Sequence, residues 1–286
     1  MKNQGVTGHN AVLYVVATPI GNRGDMVPRA VETLQQVDLI AAEDTRHSKP
    51  LLEAFHISTP MLAYHDHNET QITESLIAKL IAGQNIALIS DAGTPLVSDP
   101  GYRLVRAAHQ ANIRVVPIPG ASAMVAALSA AGLPSDKFIF EGFLPAKSTQ
   151  RRKRFAELKK EPRTLLFYEA PHRLIAFLED LQTEIGGDRE LVIAREITKT
   201  FETIKAGSVS SILEFIKNDA NQCKGEIVLL LHGYDVPVRQ VIDLEIERMM
   251  RILLKELSLK QASNLVAEIT SVNKKILYQW GVDNKD

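Results

Sequence analysis

Cysteine is almost absent from this chain: Cys223 is the only one in 286 residues. A disulfide framework is therefore excluded, and so is a thiolate-rich zinc or iron–sulfur site. Aromatic residues are scarce, with one tryptophan and nine phenylalanines, which leaves few rings to spare as exposed stacking platforms. An excess of charge of either sign is missing too. The formal net charge is −1, so charge as a whole predicts no polyanion partner. The longest uncharged stretch, Val115 to Ser135, is interrupted by Pro117, Pro119, Gly120, Gly132 and Pro134, unlike a membrane-spanning helix. No GxGxxG follows a strand-like run, and GxxxxGK[ST] and GxSxG do not occur. Hydride transfer with dinucleotides, P-loop chemistry and elbow-serine hydrolysis lose ground accordingly. Residues 1–10 are polar and lack the apolar core of a signal peptide, so they read as a loose leader on a cytoplasmic protein.

What is present is a sequence with 45% apolar and 23% charged residues, ordinary for a folded chain long enough for two domains. Short runs rich in Val, Ile and Leu recur at Val12–Ala17, Val37–Ala42, Met61–Tyr64, Ile86–Ile89 and Val115–Ile118. Between them lie helical stripes, Val27, Ala30, Val31 and Leu34 in one and Ile72, Leu76, Ile77 and Leu80 in another. Alternation of this kind predicts an α/β fold with a mainly parallel sheet. A second set follows at Phe138–Phe143, Thr164–Tyr168, Leu191–Ala194 and Ile227–Leu231. Gly207 fits a tight turn there, which would make this half mixed. The Gly- and Pro-bearing stretch Ala131–Asp136 is the best boundary. After Gly233 and Pro237 the pattern turns helical at Leu244–Leu257, Gln261–Thr270 and Lys274–Trp280. That tail is either a helix-turn-helix-type module or a helical cap. The expected organisation is thus a leader 1–10, an α/β domain 11–132, a second α/β domain 133–234 and a helical module 235–286.

Ligands of parallel sheets bind beyond the carboxyl ends of the strands, and polar residues concentrate at those ends. The first strand runs into Thr18-Pro19-Ile20-Gly21-Asn22, a tight turn whose amides can approach a ligand. The second runs into Glu43-Asp44-Thr45-Arg46, and the third into His65-Asp66-His67-Asn68-Glu69. Alternation puts His65 and His67 on one face, as metal ligands or as a base with its partner; without an evident third ligand the pair is poor evidence for metal. The fourth leads to Ser90-Asp91-Ala92-Gly93-Thr94-Pro95 and then Ser98-Asp99-Pro100-Gly101. The fifth leads to Pro119-Gly120-Ala121-Ser122-Ala123, opening a helix whose first amides suit a carboxylate. Asp91 and that helix start suggest a zwitterionic ligand. Elsewhere, Lys147–Arg163 holds eight basic residues against Glu157 and Glu161, a local balance of +6. Such a run serves either as a solvated helix face or as a phosphate-contacting stripe.

Together these motifs, with Glu141–Lys147, Phe167–Arg173, Arg195–Glu202 and Lys224–Glu226, resemble the tetrapyrrole-methylase superfamily from Val12 onwards. Within it the pattern is similar to the branch that methylates ribosomal RNA. The resemblance implies two α/β domains with a ligand cleft between them, S-adenosyl-L-methionine as cofactor and a homodimer. It also implies 2′-O-methylation of a cytidine ribose in 16S rRNA of the small ribosomal subunit, in the decoding region, without metal or membrane. Carried over, Ser90, Asp91, Ala92 and Gly93 line the methionine end, with Ser122 and Ala123 beside it and Pro19 and Gly21 near. Tyr168, Glu169, Ala170, Gly225 and Glu226 approach the adenosine. Ala170 departs from the family pattern, which has a small hydroxyl residue there, and Arg23 stands where an apolar residue is expected.

The reaction needs in-line alignment and a proton acceptor near the hydroxyl. Asp44, His65 and Glu69 are the candidate bases, with Arg46 or Asn68 orienting the hydroxyl or a phosphate. Lys147, Arg151, Arg152, Lys153 and Arg154 become expected RNA contacts, with Lys260, Lys274 and Lys275 in the tail. Competing readings are a small-molecule, tetrapyrrole-like acceptor, a non-catalytic RNA-binding module, and a metal-dependent hydrolase built on His65 and His67.

Overall fold

The computed structural model describes residues 11–235 and 242–284; the expected leader and Pro237 lie outside them. Five short strands, β1 (Val12–Val16), β2 (Leu39–Ala42), β3 (Met61–Ala63), β4 (Ile86–Ile89) and β5 (Arg114–Ile118), form one sheet in the order β3-β2-β4-β1-β5. Every neighbouring pair is parallel. Side chains alternate across it into two cores. Val16, Ile40, Ala87 and Ile89 pack with α1 (Pro28–Gln36) and α2 (Thr45–Ala54). Leu13, Ala41, Ile86 and Leu88 pack with α3 (Glu69–Ile81) and α4 (Tyr102–Gln110). A strand covered by helices on both faces has no polar side to show, which is why these runs read as continuous apolar blocks. The two expected stripes supply the helix contacts, Ala30 and Leu34 on α1 and Leu76 and Leu80 on α3.

β1 and β4 are neighbours, so the loops that leave their carboxyl ends meet. Thr18 and Gly93 exchange two backbone hydrogen bonds, with N–H to O distances of 2.8 and 3.0 Å. Gly93 has φ +82°, a left-handed conformation that glycine adopts without steric cost.

The second sheet orders β6 (Phe138–Phe143), β7 (Thr164–Glu169), β8 (Glu190–Arg195), β9 (Thr203–Ser208) and β10 (Ile227–Leu231) as β6-β7-β10-β8-β9. β6 and β7 are parallel and the other pairs antiparallel. Alternation again splits the strands. Phe167, Ile193 and Leu229 face α6 (Ser148–Leu158), α7 (Leu174–Glu184) and α8 (Val209–Asn218). Leu166, Val192 and Leu230 face the alanine-rich α5 (Ala123–Ala131). Gly207 is not the expected turn residue: it lies inside edge strand β9, paired with Leu191. A Cβ there would come within 2.4 Å of Ser211 Oγ, so the start of α8 keeps the position small.

These elements make one compact unit, residues up to Lys159 with Arg163–His232. A second unit joins Lys160–Pro162 to the chain from Gly233 onward. It holds α9 (Leu244–Leu253), α10 (Leu259–Thr270) and α11 (Lys274–Asp283) around Ile246, Met250, Ala262, Val266 and Leu277. Each helix starts on a capping side chain, Asp243, Ser258 and Asn273 respectively. Ser258 and Gln261 form a reciprocal capping box. Such caps satisfy amides that would otherwise lack partners.

Candidate active site

The loops at the carboxyl ends of the first sheet meet residues of the second sheet around a cavity of ≈ 310 Å³. Nine of the expected cofactor residues line it: Ala92, Gly93, Ser122, Ala123, Tyr168, Glu169, Ala170, Gly225 and Glu226. Pro19, Gly21 and Asp91 line an adjoining cavity instead. Ser90 lines neither; it is 2% exposed and braces the loop, its hydroxyl donating to the Ala92 carbonyl at 3.4 Å.

Tyr168 holds one end of the chamber in place. Its hydroxyl accepts from the Met124 amide in the first turn of α5 at 3.2 Å, so one of the helix-start amides expected for a carboxylate is already used. Its ring packs edge-on to Phe140 and Phe143, with centroids 4.9 and 5.6 Å away. Glu169 is buried and committed. It accepts from the Ala170 amide at 2.7 Å and from Arg173 at 3.2 Å, while burial pushes its carboxyl upward. In the turn that leads into β10, the strand paired with β7, Gly225, at φ +83°, passes directly over Glu196; a Cβ would collide with that side chain at 2.2 Å. Glu196 in turn accepts from the Glu226 amide at 3.0 Å and from Lys199 Nζ at 2.9 Å.

The residue that sequence reasoning missed is Asp99. It lines the cavity beside Ser98, on a loop where Leu96 and Ser98 take φ of 72° and 69° and Gly101 takes 134°. Non-glycine residues held in the left-handed region cost free energy and cluster at functional sites. Burial, then the nearby Glu43 carboxylate, push Asp99 up to about 7, with Asp91 and Asp66 adding to the rise and Ser90 opposing it. Burial raises Glu43 as well, against a hydrogen bond from the Asp91 amide. The two loops are laced together: the Asp44 amide donates to Asp91 Oδ1 at 3.1 Å, and the Asp91 amide to Glu43 Oε2 at 3.2 Å. The signal lay in the Ser98-Asp99-Pro100-Gly101 motif, but the carboxylates that act on Asp99 are distant in sequence.

None of the five residues expected to be catalytic lines this cavity. Asp44 caps α2, accepting from the Arg46 amide at 2.8 Å and pairing with the Arg46 guanidinium at 2.7 Å. That partner holds its carboxyl well below the usual range, which makes it a weak proton acceptor. Asn68 shapes the turn after β3, accepting from the His65 amide and donating to the Ala63 carbonyl. His65 packs edge-on to His67 with centroids 5.9 Å apart. Glu69 accepts from Arg103 Nε at 2.5 Å. Among the described residues no group of three His, Cys, Asp or Glu is placed to hold a metal, so His65 and His67 gain no further ligand.

The basic stripe needs a correction at Arg151. Expected to face RNA, it is 2% exposed and bonded to Asp180 on α7 at 2.6 Å, with the Ala146 and Ala176 carbonyls accepting from the same guanidinium. Arg152 pairs with Glu184 at 2.6 Å, and Arg154 with Glu141 and Glu157 at 2.7 and 2.8 Å. Helix periodicity turns these arginines onto α7 and β6, where they tie elements together. Lys147 and Lys153 stay exposed. No helix among the described residues is long and apolar enough to cross a membrane.

Residues 12–213 match the family model of Tetrapyrrole (Corrin/Porphyrin) Methylases, and residues 240–285 match the RsmI C-terminal HTH domain. The chain is 52% identical over 282 residues to "Ribosomal RNA small subunit methyltransferase I" of Vibrio cholerae, covering 99% of this chain and 98% of that protein. It is 54% identical over 274 residues to the protein of the same name from Pseudomonas aeruginosa, with 96% and 97% covered. Among solved structures, diphthine synthase superposes with a TM-score of 0.59 at 13% identity, covering 78% of this chain and 90% of that one. Uroporphyrin-III C-methyl transferase from Thermus thermophilus complexed with S-adenosyl homocysteine superposes with a TM-score of 0.54 at 16% identity, covering 78% and 97%. The two-sheet fold is the one these structures share, and the chain belongs to the tetrapyrrole methylase family, alongside the ribosomal RNA small subunit methyltransferase I proteins.

Proposed function

We propose that this protein transfers a methyl group from S-adenosyl-L-methionine to the 2′-oxygen of a cytidine in small-subunit ribosomal RNA. The observation that carries the reading is the cavity in which nine of the expected cofactor residues converge, joined to relatives about half identical over nearly the full length that bear the rRNA methyltransferase name.

The residues present fit the donor. Phe143, Tyr168 and Val228 give an apolar wall for a flat ring, and Ser98, Asp99 and Ser122 add polar side chains to the same lining. Most specific pockets combine such walls with a few polar groups. Asp99, with Glu43 and Asp91 behind it, places negative potential where a sulfonium and an ammonium are to be held. The bound donor supplies an already activated methyl group.

What remains for the chain is alignment and proton removal. Asp99 is the group suited to the second task. It lines the cavity, and its pKa of about 7 leaves a large share ionised at neutral pH while making that share basic enough. In this reading Asp99 accepts the 2′-hydroxyl proton, and Tyr168, fixed by the Met124 amide, keeps the wall rigid.

The test supplies tritiated S-adenosylmethionine and small subunits from cells lacking the matching methyltransferase, followed by digestion of the RNA. Label on a cytidine 2′-oxygen supports the whole reading. Donor binding without transfer to subunits or free RNA would redirect it to a small-molecule acceptor.

A further inference from the structure

A second cavity of ≈ 290 Å³ abuts the first, sharing Ile20, Ala92 and Glu226 with it. Its outer lining includes Arg23, from the turn after β1, and His47, from the first turn of α2. Arg23 sits on a firmly held backbone. Asn22 Oδ1 accepts from the Gly24 amide at 2.9 Å, and the Asn22 amide donates to Thr198 Oγ1 at 3.1 Å. The Arg23 and His47 side chains are exposed and enter no hydrogen bond or ion pair among the described residues. Lys199, on the same cavity, is by contrast bound by Glu196 and Glu226. Ser48 also lines the space; it is 3% exposed, yet its hydroxyl has no partner among the described residues. A buried hydroxyl without a partner is destabilising, a cost that a polar ligand would remove.

The geometry points to this second cavity as the seat of the acceptor nucleotide, one unit of a single RNA strand, with its phosphates on Arg23 and His47. Its ribose then lies towards Ala92, on the wall shared with the donor cavity, and Ser48 offers its hydroxyl at the inner end. The inference rests on the methyltransferase reading above and deepens it.

Size favours this occupant, because ≈ 290 Å³ is at the lower end of small-molecule pockets, about 300–1,000 Å³, and suits a nucleotide better than a macrocycle. Charge favours it too. A phosphate approaching Asp91 and Asp99 unshielded would be repelled, and two uncommitted side chains able to carry positive charge at the rim oppose that repulsion. An unpaired nucleotide can enter such a recess at the cost of unstacking alone, whereas a paired one must first be extruded. Contacts to phosphate would fix register without reading sequence.

The test compares full-length wild type with the double variant Arg23→Glu, His47→Ala. It measures kcat/KM on unmodified small subunits across a salt series, and Kd for S-adenosylhomocysteine by calorimetry. The expected result is a fall in kcat/KM of about tenfold or more and a salt slope shallower by about one per lost phosphate contact. The donor-product Kd should stay within about twofold, which also reports that the fold is intact, and Arg23→Lys should recover most of the rate. Unchanged kcat/KM and salt slope would overturn the inference while leaving the methyltransferase reading standing. A parallel loss of S-adenosylhomocysteine binding would also overturn it, by making the cavity part of the donor site. A wild type that methylates no RNA at all would instead sink the underlying reading.

Discussion

In α6 every arginine is answered by a carboxylate, whereas Arg23 on the second cavity meets none among the described residues and Asp99 faces three carboxylates with only the Ser90 hydroxyl to oppose them. The first region looks like a polyanion site in the sequence, and its arginines fold into a seam between α6, α7 and β6. The second is nearly invisible in composition, one arginine and one aspartate in separate loops. The contrast teaches that charge density along a chain reports how many charges there are, while function depends on which remain uncompensated after folding.

The largest expected effect is on the uncompensated carboxylate. Asp99→Asn keeps the shape and removes the proton acceptor, so kcat should fall about 10²–10⁴-fold, the usual worth of a positioned base. In the wild type, kcat/KM should rise with pH and level off above about 7, the value to which burial and Glu43 lift Asp99. The variant should lose that limb while S-adenosylhomocysteine still binds. An unchanged pH profile in the variant would remove Asp99 from the chemistry.

On the compensated side, Arg151→Ala leaves Asp180 largely buried without its partner; the two side chains are only 3% and 13% exposed. Breaking a buried pair of this kind typically costs about 3–5 kcal/mol. Urea denaturation should show a lowered midpoint, and a midpoint like that of wild type would mean the pair is not structural. Arg23→Ala, by the same assay, should leave the midpoint in place.

Most of the fold was legible because parallel strands buried on both faces must be apolar throughout, as at Ile86–Ile89, and because α1 and α3 carry one-sided stripes. The site was legible in outline, since ligands gather at strand carboxyl ends and Ala92, Ser122 and Tyr168 all face one cavity. What stayed hidden depended on partners far apart in sequence. Nothing local shows that Arg151 points at Asp180, or that Asp99 comes near Glu43. Asp44 and Arg46 are the opposite case, adjacent and therefore conspicuous while satisfying each other. Gly207 misled because a glycine kept small by a crossing helix looks the same as one needed by a turn.

A smaller effect separates the cost of the uncompensated carboxylate from its use. Asp99 holds its proton more tightly folded than unfolded, its pKa moving from 3.8 to about 7. Between those values the native state binds more protons, so this group makes stability fall as pH rises through that window. Asp99→Asn should therefore be more stable than wild type above pH 7, by about 1–2 kcal/mol once water access to the cavity is allowed for. The difference should fade towards pH 4. Thermal melts at both pH values decide it, and a variant less stable than wild type at pH 8 would mean that the favourable contact with Ser90 outweighs the cost of burial and repulsion.

The smallest effect is the one that tests the contrast most directly. Arg152 and Glu184 form an ion pair with side chains 47% and 23% exposed, and exposed pairs are typically worth about 0–1 kcal/mol. Arg152→Ala should thus barely move the urea midpoint. If α6 is a seam and not an RNA face, the same variant should also leave kcat/KM on small subunits and its salt slope unchanged. Because loss of Arg152 also releases Glu184, a true RNA surface would register two changes at once, a missing cation and a new anion. A drop in kcat/KM with a shallower salt slope would therefore place the RNA on α6 and dissolve the distinction between the two regions.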